Sequence, residues 1–216
     1  MTWKPVLEEL RTSERPRLVL RPGPRAVPAS VALLAGSFDP ITAAHAAMAD
    51  AALGRAELVV LLYSARTLPK EPGAPPSMLD ELDRLALLDR FVSSRPRLAV
   101  GACSHGLLAE QVEAAAERFP GAPLWVVLGS DKLLQLFDRG WYEDRDAVLD
   151  SMFARARLLY AVREADEAAV ATALEANARW RGFVERLDVP PEIASISSRL
   201  VRERRRRGED VSGLLP

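Results

Sequence analysis

The 216-residue chain holds one cysteine, Cys103, two histidines, His45 and His105, and three lysines against 26 arginines. A single cysteine excludes an internal disulfide framework. Two histidines and one cysteine give no recognisable zinc-ligand spacing, so no protein metal site is expected. No window approaches the roughly 18 uncharged apolar residues that a membrane span needs. The opening stretch MTWKPVLEELRTSERPR carries charge where a secretory signal would be apolar, and the chain reads as cytoplasmic. An excess of charge is missing too: Lys and Arg total 29, Asp and Glu 30, for a formal net charge of -1. With no global attraction to nucleic acid or to an anionic membrane, the expected partner is a small molecule, and any polyanion contact must come from a local basic cluster.

Three signatures of nucleotide or nucleophile chemistry are also absent. No G-x-G-x-x-G dinucleotide fingerprint occurs. GACSHGLL, residues 101–108, has the glycine spacing of a P-loop but Leu107 and Leu108 where Lys and Ser/Thr belong. No G-x-S-x-G nucleophile elbow is present. Dehydrogenase, P-loop and α/β-hydrolase readings fall away together.

What is present is an alternation. At 49% hydrophobic and 27% charged, the composition suits one substantial core. Short apolar runs of strand length stand at 31–36, 56–64, 97–103, 123–129 and 156–162. Between and after them, residues 41–53, 77–92, 106–119, 164–180 and 196–208 place apolar side chains at helical spacing. Strands alternating with helices predict an α/β fold, a Rossmann-like doubly wound parallel sheet with helices on both faces in a single domain. Residues 1–30, rich in Arg and Pro, read as an irregular N-terminal extension ahead of a domain at 31–216.

The first strand-to-helix turn, GSFDP at residues 36–40, falls where open parallel sheets bind ligands. Gly36 permits close backbone approach, Asp39 is the expected N-cap and Pro40 suits the first helical position. A helix starting there points its free N–H groups and positive dipole end outward, toward an anion. His45, one turn further in, can add a directional donor to the same phosphate. Taken alone, FDP would be only a capped turn and His45 a structural histidine.

Two separated motifs carry a family resemblance. GSFDPITAAH, residues 36–45, resembles the G-x-F-D/N-P-x-T/H-x-x-H signature of the nucleotidyltransferase superfamily, and ISSRLVR, residues 196–202, resembles its I-S-S-T-x-I-R signature. Within that superfamily, the LGSD segment ending at Asp131 is similar to the G-x-D segment of nicotinamide/nicotinate mononucleotide adenylyltransferases. The resemblance spans residues 31–213 and implies the following. ATP, as co-substrate with magnesium, lies across Gly36, Ser37, Phe38 and Asp39. Thr42 stands at the first family histidine and His45 at the second, which donates to the α-phosphate. Ser197, Ser198 and Arg202 hold the β- and γ-phosphates, with Arg202 counted beside Thr42 and His45 as catalytic. Gly129 and Asp131 meet the nucleotide ribose. Lys70 and Arg84 match basic positions of the acceptor site, and Trp141 or Tyr142 stacks on the pyridine ring. The acceptor implied is nicotinamide or nicotinate mononucleotide, a small phosphorylated substrate, with no nucleic acid or membrane partner. A homo-oligomer stays open.

The sequence departs from the family pattern at Ala44, where glycine is common, and at Arg199, where threonine is usual. The S-Y-T-x-x-T segment of bacterial nicotinate enzymes is replaced by SHGLLAEQV, residues 104–112. Two alternatives follow: a phosphopantetheine adenylyltransferase, whose closing segment is echoed by SSRLVRERRRRGEDVS, and a nucleotide-binding paralogue without catalysis.

Overall fold

Apolar runs with no polar alternation belong in a sheet that is covered on both faces, because neither side of such a strand can face water. The computed structural model, which describes residues 2–21, 23, 27–66 and 76–216 (Trp141 in its backbone only), places them so. Its strands are β1 (Leu18–Arg21), β2 (Val31–Ala35), β3 (Leu58–Ser64), β4 (Leu98–Cys103), β5 (Leu124–Gly129), β6 (Ala156–Ala161) and β7 (Val184–Arg186). Its helices are α1 (Trp3–Thr12), α2 (Ala43–Ala52), α3 (Glu81–Val92), α4 (Leu108–Arg118), α5 (Ser130–Phe137), α6 (Arg145–Phe153), α7 (Glu167–Ala176), α8 (Pro191–Ala194) and α9 (Ser198–Arg206).

The seven strands form one sheet in the order β1-β4-β3-β2-β5-β6-β7. Strands β2 to β7 are mutually parallel, and β1 alone runs antiparallel, against β4. Side chains alternate between two layers as the pleat requires. Along β3, Val59, Leu61 and Tyr63 join one core with Leu7 of α1, Ala49 of α2 and Leu85 of α3, while Leu58, Val60 and Leu62 join the other with Val112, Leu133, Leu149 and Val170 of α4 to α7. This is the doubly wound α/β architecture expected. Among the described residues, no helix is long and apolar enough to cross a membrane.

The irregular extension expected at residues 1–30 is corrected in part by helix α1 and strand β1. Trp3, Val6, Leu7 and Leu10 follow helical spacing and are all buried, Leu7 and Leu10 completely. That stripe outweighs the proline content: Pro5 lies in the first turn, where its missing N–H has no helical partner to lose, and Pro16 lies between α1 and β1. Strand β1 then covers the outer edge of β4, which would otherwise present unpaired backbone groups. Helices α5 and α6 and the short β7 are not among the elements expected from the sequence. The helix expected at 164–180 is divided into a 3-10 turn at Glu164–Asp166, α7, and a second 3-10 stretch at Ala178–Phe183.

If α1 belongs to the core, Leu7→Ala should cost about 2–5 kcal/mol of unfolding free energy, the usual range for truncating a buried leucine. Urea melts check this, and a loss below about 0.5 kcal/mol, as for an ordinary surface change, would return α1 to the status of an appendage.

Candidate active site

From β2 the chain builds outward through β3 to β4, then crosses back to set β5 on the other side of β2. The carboxyl ends of β2 and β5 are therefore neighbours, with Leu34 paired to Val127, and the turns that follow them diverge into a crevice. One turn runs from Gly36 to Thr42 and the other is Gly129-Ser130-Asp131.

The first turn is built differently from the sequence expectation. Phe38 adopts a positive φ of 45° and folds its buried ring back over Gly36, where a Cβ would lie 3.0 Å from the ring. A side chain at residue 36 would crowd the protein's own phenyl ring. Asp39 is not the N-cap of α2. Helix α2 starts at Ala43 with Thr42 as cap, because Asp39 is turned inward and is wholly buried. Its Oδ1 accepts from the backbone N–H groups of Met78 at 3.1 Å and Leu79 at 3.0 Å. Its Oδ2 lies 3.5 Å from both Arg84 Nη2 and Arg202 Nη1. Ser37, between them, is exposed, and its carbonyl accepts from Arg84 Nη1 at 3.4 Å.

Thr42 and His45 form a reciprocal cap. The Thr42 hydroxyl faces the His45 backbone N–H, and His45 Nδ1 accepts from the Thr42 backbone N–H at 3.1 Å. A ring nitrogen that accepts carries no proton, so the network assigns the proton to Nε2. Burial lowers the His45 pKa to about 4, against a smaller upward pull from Asp131 and a downward push from Arg163. At neutral pH His45 is an uncharged Nε2–H donor. Phe38 flanks it with ring centroids 5.0 Å apart.

The second turn supplies Asp131, which is exposed, and Gly129, where a Cβ would meet Asp131 Oδ1 at 2.8 Å. Arg163, just beyond β6, stands with Nη2 3.5 Å from Asp131 Oδ1 and within electrostatic reach of His45. Nothing in the sequence reading singled out Arg163. Its only signal was its place directly after a strand-length apolar run.

Helix α9 closes over the first turn. Ser197 caps it by accepting from the Leu200 N–H at 3.1 Å, and Ser198 Oγ donates to the Pro40 carbonyl at 2.7 Å. Arg202 Nη1 donates to the Asp39 carbonyl at 2.7 Å. Two buried guanidinium groups, Arg84 and Arg202, thus share one buried carboxylate. Burial lowers the Arg202 pKa, with Asp39 opposing and Arg84 reinforcing the shift. Among the described residues, Nε of Arg163 and of Arg202 is buried without a hydrogen-bond partner.

The acceptor-side expectations have different outcomes. Arg84 is 6% exposed, and its Nε and Nη2 donate to the Leu79 carbonyl at 3.0 and 2.8 Å, which makes it a brace of the first turn in this structure. Tyr142 is half-buried against the α4 to α7 layer, where burial pushes its pKa up to about 12. Lys70 and the side chain of Trp141 lie outside the described residues.

A family model described as cytidylyltransferase-like matches residues 33–204. The chain belongs to the cytidylyltransferase-like family. Membership makes it a nucleotidyltransferase, and both motifs lie in the matched span. It is 24% identical over 196 residues to a probable nicotinate-nucleotide adenylyltransferase of Lachnoclostridium phytofermentans, covering 86% of this chain and 92% of the relative. A protein of the same description from Laribacter hongkongensis is 30% identical over 203 residues, covering 86% and 88%. The fold is shared with the crystal structure of a Vibrio parahaemolyticus protein assigned as a nicotinate-nucleotide adenylyltransferase, at a TM-score of 0.51, 15% identity and 86% coverage of each chain.

Two outcomes follow from this geometry. Asp39→Ala should cost about 3–5 kcal/mol, as expected when one partner of a buried ionic cluster is removed, and denaturant melts read it directly. For His45 the folded pKa of about 4 lies below the ordinary 6.5, so the unfolded chain binds the extra proton. This contribution to stability is intact above 6.5 and is lost as pH falls toward 4. Thermal melts of wild type and His45→Asn should converge as pH falls from 7 to 4.5, and parallel curves would contradict an imidazole held neutral by its surroundings.

Proposed function

We propose that this nucleotidyltransferase moves AMP from ATP to a pyridine mononucleotide, with the nicotinate form first because the curated relatives carry that name. The observation that carries the reading is His45: a neutral Nε2–H donor fixed on the first turn of a helix at the switch of strand order. In the proposed reaction an oxygen of the acceptor's 5′-phosphate attacks the α-phosphorus of ATP. The bond to the bridging oxygen of the β-phosphate breaks, and pyrophosphate leaves with that oxygen. No protein nucleophile is needed.

His45 donates to the α-phosphate and strengthens that bond as charge builds in the transition state. With a pKa near 4 the ring carries no second proton at neutral pH, so it acts as a neutral hydrogen-bond donor and has no acidic proton to pass on. The first turns of α2 and α9 direct backbone N–H groups at the phosphates. Because the hydroxyls of Ser197 and Ser198 already serve the Leu200 N–H and the Pro40 carbonyl, we assign the triphosphate contact at α9 to its backbone and to the Arg202 guanidinium. Thr42 positions His45. Asp131 accepts from the ribose hydroxyls of the nucleotide.

Among the described residues, no group of three or more His, Cys, Asp or Glu side chains could hold a metal ion. Magnesium in this reading is carried by the phosphate oxygens of ATP, where it supplies neutralisation of the departing pyrophosphate.

Pyrophosphate release, measured with ATP and magnesium over nicotinate mononucleotide, nicotinamide mononucleotide and phosphopantetheine, tests the reading. Turnover is expected with a pyridine mononucleotide, and His45→Ala should lower kcat by about two to three powers of ten, the usual loss for one preorganised donor. Faster turnover with phosphopantetheine would overturn the acceptor assignment. Tight ATP binding without turnover on any of the three would favour a paralogue without catalysis.

A further inference from the structure

The turns after β5 and β6 are joined by two contacts at Ser130 and one at Asp131. Ser130 is completely buried, although it stands at the mouth of the crevice. Its hydroxyl donates to Asp166 Oδ2 at 2.6 Å, a short charge-assisted bond, and accepts from the Arg163 backbone N–H at 3.3 Å. The Arg163 guanidinium reaches back to Asp131 Oδ1. Segment 163–166 therefore holds segment 130–131 by both backbone and side chain.

The N-cap of α5 is Gly129, which has no side chain with which to fix the first turn, so the first turn of α5 draws no side-chain cap from its own segment. Asp166 ends the 3-10 turn Glu164–Asp166 with helical backbone angles, so its carboxylate has no capping duty on α7, and it takes the Ser130 hydroxyl instead. The body of α5 is anchored independently by Leu133, Leu136 and Phe137, all buried, so loosening the junction should free the first turn without unfolding the helix.

We propose that Asp166 is a positioning residue of the nucleotide site, acting through the Ser130 hydroxyl to set Asp131 against the ribose of ATP. The inference rests on the assignment of Asp131 to that ribose. A carboxylate binds a pair of ribose hydroxyls only when its approach is fixed within a few tenths of an ångström, and the latch removes the freedom that Gly129 leaves.

The test compares Ser130→Ala, Asp166→Ala, Asp166→Asn and Asp131→Asn, with the doubles Ser130→Ala/Asp166→Ala and Asp131→Asn/Asp166→Ala. Steady-state kinetics give KM for ATP and kcat, calorimetric titration with ATP reads the site without turnover, and thermal melts report folding. Ser130→Ala and Asp166→Ala should each raise KM and Kd for ATP about tenfold, with kcat changed far less. Their double should match Ser130→Ala alone, because Asp166→Ala removes a bond that Ser130→Ala has already broken. Asp166→Asn keeps an acceptor and should recover most of the affinity. Adding Asp166→Ala to Asp131→Asn should cost nothing further. If Asp166→Ala binds ATP as wild type does while Asp131→Asn is impaired, the latch is refuted and the Asp131 assignment stands. If Asp131→Asn binds ATP normally, the assignment fails, and the latch loses its role whatever Asp166→Ala does. Additive losses in the Ser130/Asp166 pair would also refute it.

Discussion

A single buried carboxylate, Asp39, ties together parts of the chain that are far apart in sequence. It gathers the backbone of Met78 and Leu79, Arg84 of α3 and Arg202 of α9, while its own carbonyl accepts from Arg202. Charges this deeply buried are stable only when paired and hydrogen-bonded, so each partner holds the others in place. The path of the first turn, the approach of α3 and the closure of α9 are three consequences of one charge cluster. That cluster is also unbalanced, with two guanidinium groups to one carboxylate. The two guanidinium groups are held in place by backbone carbonyls as well, of Leu79 for Arg84 and of Asp39 for Arg202.

The same economy appears at His45. Its Nδ1 caps the helix on which it rides, and in doing so fixes the tautomer that leaves Nε2 protonated. The bond that secures the start of the helix also decides which ring nitrogen carries the proton. Phe38 packs on the ring and on bare Gly36, so the signature glycine, phenylalanine, aspartate, threonine and histidine form one interlocked unit. Their roles toward one another are as definite as any role toward a ligand.

Much of this was legible in the sequence, and the reasons for the rest are specific. Long apolar runs located five of the seven strands because strands covered on both faces need no alternation. The turn at residues 36–45 stood out because glycine, Asp-Pro and histidine are each unusual there. The inward turn of Asp39 was not legible, since its partners lie about 40 and 163 residues away and no local pattern distinguishes an N-cap aspartate from a buried one. Arg163 was hidden for a related reason: in a chain with 26 arginines, one more carries no signal until the fold sets it beside Asp131. In α1 the proline-rich composition obscured a four-residue apolar stripe, and burial decided in favour of the stripe.

Helix α1 and strand β1 lie outside the span that matches the family, which starts at residue 33. They are nonetheless attached to the sheet and to α3: Arg66 Nη2 donates to the Arg11 carbonyl at 2.8 Å and the Arg17 N–H is received by Ser104 Oγ at 2.8 Å just beyond β3 and β4, while Trp3 Nε1 donates to Asp89 in the last turn of α3 at 2.8 Å. These bonds brace α3 and the carboxyl ends of β3 and β4 from outside, and α3 carries the Arg84 that holds Asp39. The proposed reaction makes no demand for a cysteine or lysine nucleophile. In-line phosphoryl transfer to an acceptor that brings its own nucleophile asks the protein for fixed donors and fixed distances rather than for reactive groups. Such a site is made from backbone N–H groups, buried arginines and one oriented imidazole, and its quality depends on how rigidly the surrounding elements are tied.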